Sequence, residues 1–147
     1  MKNKRKIAEK LEHYLEEEFS KSLPVAILPD NSIAYKNYKI KRNKNGSFNL
    51  QYGGIGFDSI GQFNLKACAL IAAKRHDKCQ LEAFKEVMDL DRKYWNNFTD
   101  AKYYEQRMKT SKDLERYCIL TSRLDLSKER YTSYKDQIQR LFKQTFV

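Results

Sequence analysis

The feature that most constrains this fold is the position along the chain at which the helix-breaking residues stop. The chain of 147 residues contains two prolines and five glycines, and the last of each are Pro29 and Gly61. Proline removes a helical hydrogen bond, and glycine weakens a helix. Residues 62–147 contain neither and can therefore form long uninterrupted helices, whereas the turns that a β-sheet needs are available before Gly61.

Apolar residues recur at helical spacing through this second half. The pattern predicts a helix from Leu65 to about His76, with Asn64 as its N-cap. A second helical run starts near Lys78, with a break predicted near residues 96–100.

The final run has a seven-residue repeat. Leu124, Tyr131 and Ile138 recur as on one edge of a long helix. A coiled coil needs a second apolar position in each seven-residue repeat, and Lys128 and Lys135 interrupt this complementary seam, so a regular coiled coil is not established. We expect the long C-terminal helices to pack as a helical hairpin or small bundle.

The region before Gly61 has a period of two. Alternating side chains predict strands near residues 34–42 and 47–52. The intervening segment 43–46 ends in Asn-Gly, a strong hairpin signal because both residues tolerate positive φ. Residues 25–28 form a short extended piece at most, a third short strand, and the glycines over residues 53–61 indicate a loop.

The fold class is therefore α+β and mostly helical, in a single domain over residues 1–147. An amphipathic N-terminal helix is predicted over residues 1–23, a β-hairpin region over residues 24–62 and a helical region over residues 63–147.

The cysteines and the absence of long apolar runs indicate a cytoplasmic protein. Three cysteines make no disulfide framework. Cys68 and Cys118 lie in apolar runs and are interpreted as buried thiols in a reducing compartment. No stretch approaches the length of a membrane span, and no membrane partner is expected.

No motif predicts catalysis, a metal or a cofactor. The glycine-rich segment lacks the Gly-Lys-Ser/Thr of a phosphate-binding loop. Cys68, His76 and Cys79 lack a fourth zinc ligand nearby. Asp89 and Asp91 are two residues apart and do not share a helix face, which argues against paired acid–base chemistry. We expect a protein that is not an enzyme.

Charge provides the main functional signal. The net charge is +10, and it is uneven: residues 24–66 carry six basic and two acidic residues, and residues 101–147 carry eleven and six. Such an excess favours nucleic acid or an acidic protein surface as partner. The candidate nucleic-acid-binding residues are Lys36, Lys39, Lys41, Arg42, Lys44, Arg116, Arg123 and Arg130.

The hairpin lysines have two interpretations. Tyr35, Tyr38, Phe48 and Tyr52 stand among them, so exposed rings could stack on bases while the lysines neutralise phosphates. Alternation equally allows the rings to face the core while the lysines face water. The sequence leaves both open.

Three segments, Lys21–Leu28, Tyr35–Lys41 and Leu65–Ala73, resemble uncharacterised small accessory proteins of tailed bacteriophages of marine bacteria. The resemblance implies host modulation, genome-associated binding or virion assembly, and it assigns no functional residue.

Two functions follow as hypotheses. The first is a non-enzymatic binding protein that associates with nucleic acid through a basic surface. This hypothesis loses most of its support if the two basic segments do not meet. The alternative is a protein–protein interaction or virion assembly module that forms a homo-oligomer through its helices.

Overall fold

The computed structural model describes residues 26–28, 32–53 and 56–146. The helix predicted over residues 1–23 lies outside the described residues. The elements are β1 (Ala26–Ile27), β2 (Ile33–Tyr35), β3 (Tyr38–Arg42), β4 (Phe48–Gly53), β5 (Phe57–Phe63), α1 (Lys66–Asp77), α2 (Leu81–Thr110) and α3 (Leu114–Phe146). The α+β class, with a sheet followed by long helices, is confirmed.

The strands form one antiparallel sheet in chain order, each paired with the next. The short extended piece predicted near residues 25–28 is β1. The prediction of one strand over residues 34–42 is wrong, because the chain turns at Lys36 and Asn37 between β2 and β3. Lys36 adopts φ 50°, a conformation that a turn requires and a strand does not allow.

The hairpin predicted around residues 43–46 is confirmed as β3 and β4. Its turn is closed by the Asn43 amide, which donates to the Ser47 carbonyl at 2.7 Å. Positive φ was expected at both Asn45 and Gly46, but within this turn only Gly46 has it, at φ 87°. Asn45 contributes its side chain instead, since its Oδ1 accepts from the Ser47 amide at 3.0 Å.

The loop predicted over residues 53–61 is largely wrong, because β5 occupies Phe57–Phe63. Its register against β4 shifts between Gly61 and Ser59, which leaves Ile60 as a bulged residue. Gly61 serves packing rather than a turn. A Cβ there would lie 3.2 Å from Phe63 Cε2, which is tighter than ordinary contact, and 3.5 Å from Phe84 Cζ of α2, so the missing side chain leaves room for the Phe63 ring.

Helix α1 is buried over most of its length, from Ala67 to Ala73, because it contacts the sheet on one side and α3 on the other. The predicted N-cap is wrong: Leu65 occupies that position and makes no side-chain cap. Asp91 of α2 replaces the cap, accepting from the Asn64 amide at 2.8 Å and from the Leu65 amide at 2.9 Å.

The break predicted near residues 96–100 is also wrong, since α2 runs through it. Thr99 is buried, and its hydroxyl donates to the Trp95 carbonyl at 2.9 Å, so this polar segment satisfies its own hydrogen bonds within the helix. The chain reverses instead at residues 111–113, and α2 and α3 form the expected helical hairpin.

The seven-residue repeat of α3 is its inner seam. Leu124 and Ile138 are buried, and Tyr131 packs on Tyr94 and Phe98 of α2. The complementary positions are not those of the two lysines considered from the sequence. They are Ser127 and Tyr134, each one residue before one of the lysines, and Leu141 one repeat later.

The C-terminal end of α3 is held by α1 and β2. Lys74 Nζ donates to the Thr145 carbonyl, Arg75 Nη2 donates to Thr145 Oγ1 at 3.1 Å, and the ring of Phe146 meets that of Tyr35 at 6.1 Å. A cation at a helix C-terminus also complements the helix dipole. None of the described helices combines the length and apolar character needed to cross a membrane.

Candidate nucleic-acid interface

The sheet has one face that belongs to the core. Its aromatic and aliphatic side chains are at most 4% exposed and pack against α1 and α2; they are Tyr35, Tyr38, Ile40, Phe48, Leu50 and Phe63. Three of the four rings that could have stacked on bases are therefore in the core, and the interpretation with rings inward and lysines outward is the one that this structure supports. Tyr52, the fourth, is 41% exposed and touches Tyr38 and His76 at the edge of the core.

The opposite side of β3, β4 and β5, which we name the open face, carries two rows of polar side chains across the three strands. The first row is Lys41–Asn49–Gln62, and the second is Lys39–Gln51–Ser59. Side chains at directly paired positions lie side by side on one face of a sheet. All six are half-buried or exposed. Beyond the second row, the ladder of β4 and β5 continues with the pair Gly53 and Phe57.

The open face has a defined geometry. Two strand spacings make each row about 10 Å wide, and the rows lie about 7 Å apart along the strands. Ser59 Oγ donates to Asn49 Oδ1 at 2.5 Å, which links the rows and orients the amide of Asn49.

The surroundings of the open face are positively charged. Between Ser32 and Lys66 the sequence has six basic residues and one acidic residue, Asp58. Arg42 lies at the end of β3 with its guanidinium carbon 5.7 Å from the Phe48 ring centroid, and Lys44 is exposed in the β3–β4 turn. Three of the candidate basic residues thus lie on the open face or at its turn end: Lys39, Lys41 and Lys44. Arg42 alternates to the other face of β3, on the side of Phe48.

Lys36 has a structural partner. Its Nζ lies 2.8 Å from Oδ2 of Asp77, so the β2–β3 turn is tied to the last residue of α1. The hydrogen bond that Lys36 donates to Asp77 raises the pKa of Lys36. This contact gives Lys36 a structural role in holding the β2–β3 turn against α1.

The three candidate arginines lie on α3. Arg116, Arg123 and Arg130 are exposed and seven residues apart, and so share a face of that helix. Arg116 lies 30 residues, or about 45 Å of helix, from the end of α3 that meets the sheet at Phe146. Arg116 is therefore remote from the open face, which removes the support that a joint basic patch with this part of α3 would have given. The nucleic-acid hypothesis depends on the open face alone.

A shallow, open pocket of about 390 Å³ lies beside β5 and α2, lined by Gln62, Asn64, Met88, Asp89, Asp91 and Arg92. Burial raises the pKa of Asp91 to about 6. Both of its oxygens already accept from the amides that begin α1, so this carboxylate is engaged as a cap. Asp89 pairs instead with Arg92 and Lys93, each at 2.7 Å, and these contacts lower its pKa.

Of the two cysteines predicted to be buried, one is exposed. Cys68 is buried as predicted, and burial with the neighbouring Asp91 raises its pKa well above the usual value. Cys118 was expected to be buried but is exposed, because its position on α3 faces away from the seam of Leu120 and Leu124. The described residues contain no group of three or more His, Cys, Asp or Glu side chains that could hold a metal ion.

Sequence reasoning missed the polar partners of the lysines, which are Asn49, Gln51, Ser59 and Gln62. The alternation of side chains in β4 already indicates that Asn49 and Gln51 share a face, and the turn after Arg42 pairs them with Lys41 and Lys39. Ser59 and Gln62 could not be predicted as part of this face, because Gly61 in β5 indicated a loop.

No protein-family model, no curated protein and no solved structure matches this chain.

Proposed function

We propose that this protein is a non-enzymatic nucleic-acid-binding protein that uses the open face of its sheet. The observation that supports the proposal best is the pair of polar rows, in which Lys39 and Lys41 stand beside amide side chains on a surface separate from the core. Lysines neutralise phosphates, and amides donate to and accept from base edges. A face that served only solubility would not need the three amides Asn49, Gln51 and Gln62 beside the lysines.

The charge around the open face agrees with such a partner. One acidic residue among six basic ones leaves a locally positive surface, which attracts a polyanion and speeds its association. As part of the proposal, the resemblance to bacteriophage accessory proteins suggests a phage or host genome in the host cytoplasm as the partner.

Fluorescence anisotropy with a labelled oligonucleotide tests the proposal. Binding should weaken steeply between about 50 mM and about 200 mM salt, because counterions are released from the neutralised phosphates. The variant Lys39→Gln/Lys41→Gln keeps side-chain length and removes two charges, so we expect about tenfold weaker binding and a salt slope lower by about two.

A matched control separates the open face from net charge. Lys109→Gln/Lys112→Gln removes the same two charges at the turn between α2 and α3, and should leave the affinity nearly unchanged. Equal losses in the two double variants, or no binding at low salt, would contradict the proposal.

A second function, assembly through the helices, is favoured by one observation. Large apolar side chains are exposed on the part of α3 farthest from the sheet, and they are Leu114 (76%), Ile119 (48%) and Leu126 (47%). Exposed apolar groups on a helix can dock on a second copy or on another protein.

Sedimentation velocity over a wide concentration range tests this alternative. Self-association that is abolished by Ile119→Glu/Leu126→Glu would support it, because both side chains point away from the inner seam. A monomer at every concentration would remove the self-assembling form of this hypothesis.

A further inference from the structure

The open face also indicates which nucleic acid it fits, an inference that rests on the proposed function. Proteins that hold single strands stack bases on aromatic side chains. None of the six side chains in the two rows is aromatic, and the rings of Tyr38 and Phe48 on the same strands are buried on the other side. The two rows therefore provide hydrogen-bonding groups and charge, but no stacking platform.

The dimensions of the first row match one groove. The row Lys41–Asn49–Gln62 crosses three strands and is about 10 Å wide, whereas the second row continues from Lys39 onto β2 at Ala34. The major groove of B-form DNA is about 12 Å wide and admits β-structure, whereas its minor groove is about 6 Å wide. In A-form RNA the major groove is deep and narrow, so side chains on a sheet do not reach its base edges.

The chemistry of the rows suits base edges in that groove. Asparagine and glutamine amides pair with N6 and N7 of adenine, and lysine donates to O6 and N7 of guanine. The central positions of the two rows are the amides Asn49 and Gln51 on β4, and the Ser59 hydroxyl restrains the first of them. Lys44 lies exposed in the β3–β4 turn, where the phosphates that flank the groove would pass.

We propose that the open face enters the major groove of double-stranded DNA. Asn49, Gln51 and Gln62 contact base edges there, so that binding depends on sequence. Lys39 and Lys41 contribute to groove binding, and Lys44 contacts backbone phosphates.

The test starts from selection of duplexes from a randomised DNA library by the full chain, followed by anisotropy on a selected site. The selected duplex is compared with its single strands, with double-stranded RNA of the same sequence, and with a duplex carrying 7-deaza-adenine. The deaza base removes the N7 acceptor from the major groove and leaves charge and minor groove intact. We expect about tenfold weaker binding to the deaza duplex and still weaker binding to the RNA duplex.

Two variants complete the design. Asn49→Ala/Gln51→Ala should abolish the preference for the selected site while retaining salt-dependent binding to any duplex, because the lysines remain. Circular dichroism confirms that the variant is folded, and the near-isosteric Gln51→Glu provides a second check: its charge should weaken binding to every duplex.

The outcomes distinguish the two proposals. Equal affinity for duplex and single strands, or no response to the deaza base, overturns the major-groove inference while loss of binding in Lys39→Gln/Lys41→Gln still supports nucleic-acid binding. Absence of binding to every nucleic acid at low salt overturns both.

Discussion

At the scale of single residues, the fold depends on a few positions where backbone conformation or burial is unusual. Cys79 adopts φ 59° just after α1, and the amides of Cys79 and Gln80 donate to the carbonyls of His76 and Arg75 at 2.9 and 2.8 Å. This is a Schellman ending, in which the left-handed position is normally glycine. The exposed thiol at this position is a strained substitute.

Replacing Cys79 with glycine should stabilise the protein. The left-handed conformation costs an L-residue roughly 1–2 kcal/mol, partly offset by the greater freedom of glycine in the unfolded chain. We expect Cys79→Gly to raise the free energy of unfolding by about 0.5–1 kcal/mol in urea denaturation. Cys79→Ala is the control, since it removes the thiol and keeps the strain; a similar gain in that variant would contradict the explanation.

Asp91 is the buried carboxylate on which the start of α1 depends. Three donors, two backbone amides and Nδ2 of Asn64, point at its two oxygens. Asp91→Asn replaces one oxygen with an NH₂ group that cannot accept, so a buried donor loses its partner. We expect a loss of about 1–3 kcal/mol in the free energy of unfolding, measured by denaturation near neutral pH. An unchanged stability would show that the cap is dispensable.

The same residue predicts a pH dependence. Burial raises the pKa of Asp91 from 3.8 to about 6, so the folded state binds this proton more tightly than the unfolded state. Its contribution to stability is therefore full below pH 3.8 and is lost as pH rises through 6, by up to about 3 kcal/mol. The unfolding free energy of the wild-type protein minus that of Asp91→Asn, measured at each pH, isolates the contribution of this group. If this difference does not change between pH 4 and pH 6, the prediction is contradicted.

At the scale of elements, the helices were more predictable than the sheet. Helical periodicity after Gly61 was sufficient for α1 and for the helical hairpin. The continuity of α2 was missed because Thr99 is polar in sequence, yet it is buried and bonded to its own helix. Strand β5 was missed because Gly61 indicates a turn locally, while its actual role is contact with Phe84 and Met88 of α2, which only the tertiary fold reveals.

The seam between α2 and α3 predicts a sharp contrast between two leucines. Leu124 is 7% exposed, and Leu126, two residues later, is 47% exposed. Leu124→Ala should cost about 2–3 kcal/mol of unfolding free energy, because it removes buried apolar contacts and leaves a cavity. Leu126→Ala is the matched substitution and should cost less than about 0.5 kcal/mol. Equal costs in chemical denaturation would show that α3 is rotated from the orientation described.

At the scale of the whole molecule, the sequence indicated the amount of charge but not its arrangement. The alternation of Lys39 and Lys41 with buried residues was enough to predict a lysine face. The separation of this face from Arg116 depends on how α3 packs against α2 and α1, with only its C-terminal end at the sheet, and no local pattern contains this arrangement.

This separation predicts that the α3 arginines contribute little to binding. Charges farther apart than the screening length of about 10 Å at 0.1 M salt interact weakly. Arg116→Gln/Arg123→Gln/Arg130→Gln should therefore change the affinity for duplex DNA less than Lys39→Gln/Lys41→Gln does, although it removes one more charge. Anisotropy titrations at that salt concentration compare the two, and a larger loss in the arginine variant would move the binding surface to α3.

The central claim is that the open face is the surface that meets nucleic acid, and backbone amide chemical shifts measure this most directly. On titration with duplex DNA, we predict that shift changes concentrate in β3, β4 and β5, at residues 39–44, 49–51 and 59–62, and that residues 114–130 of α3 stay near their free positions. Changes confined to α3, or no changes at low salt, would contradict the account.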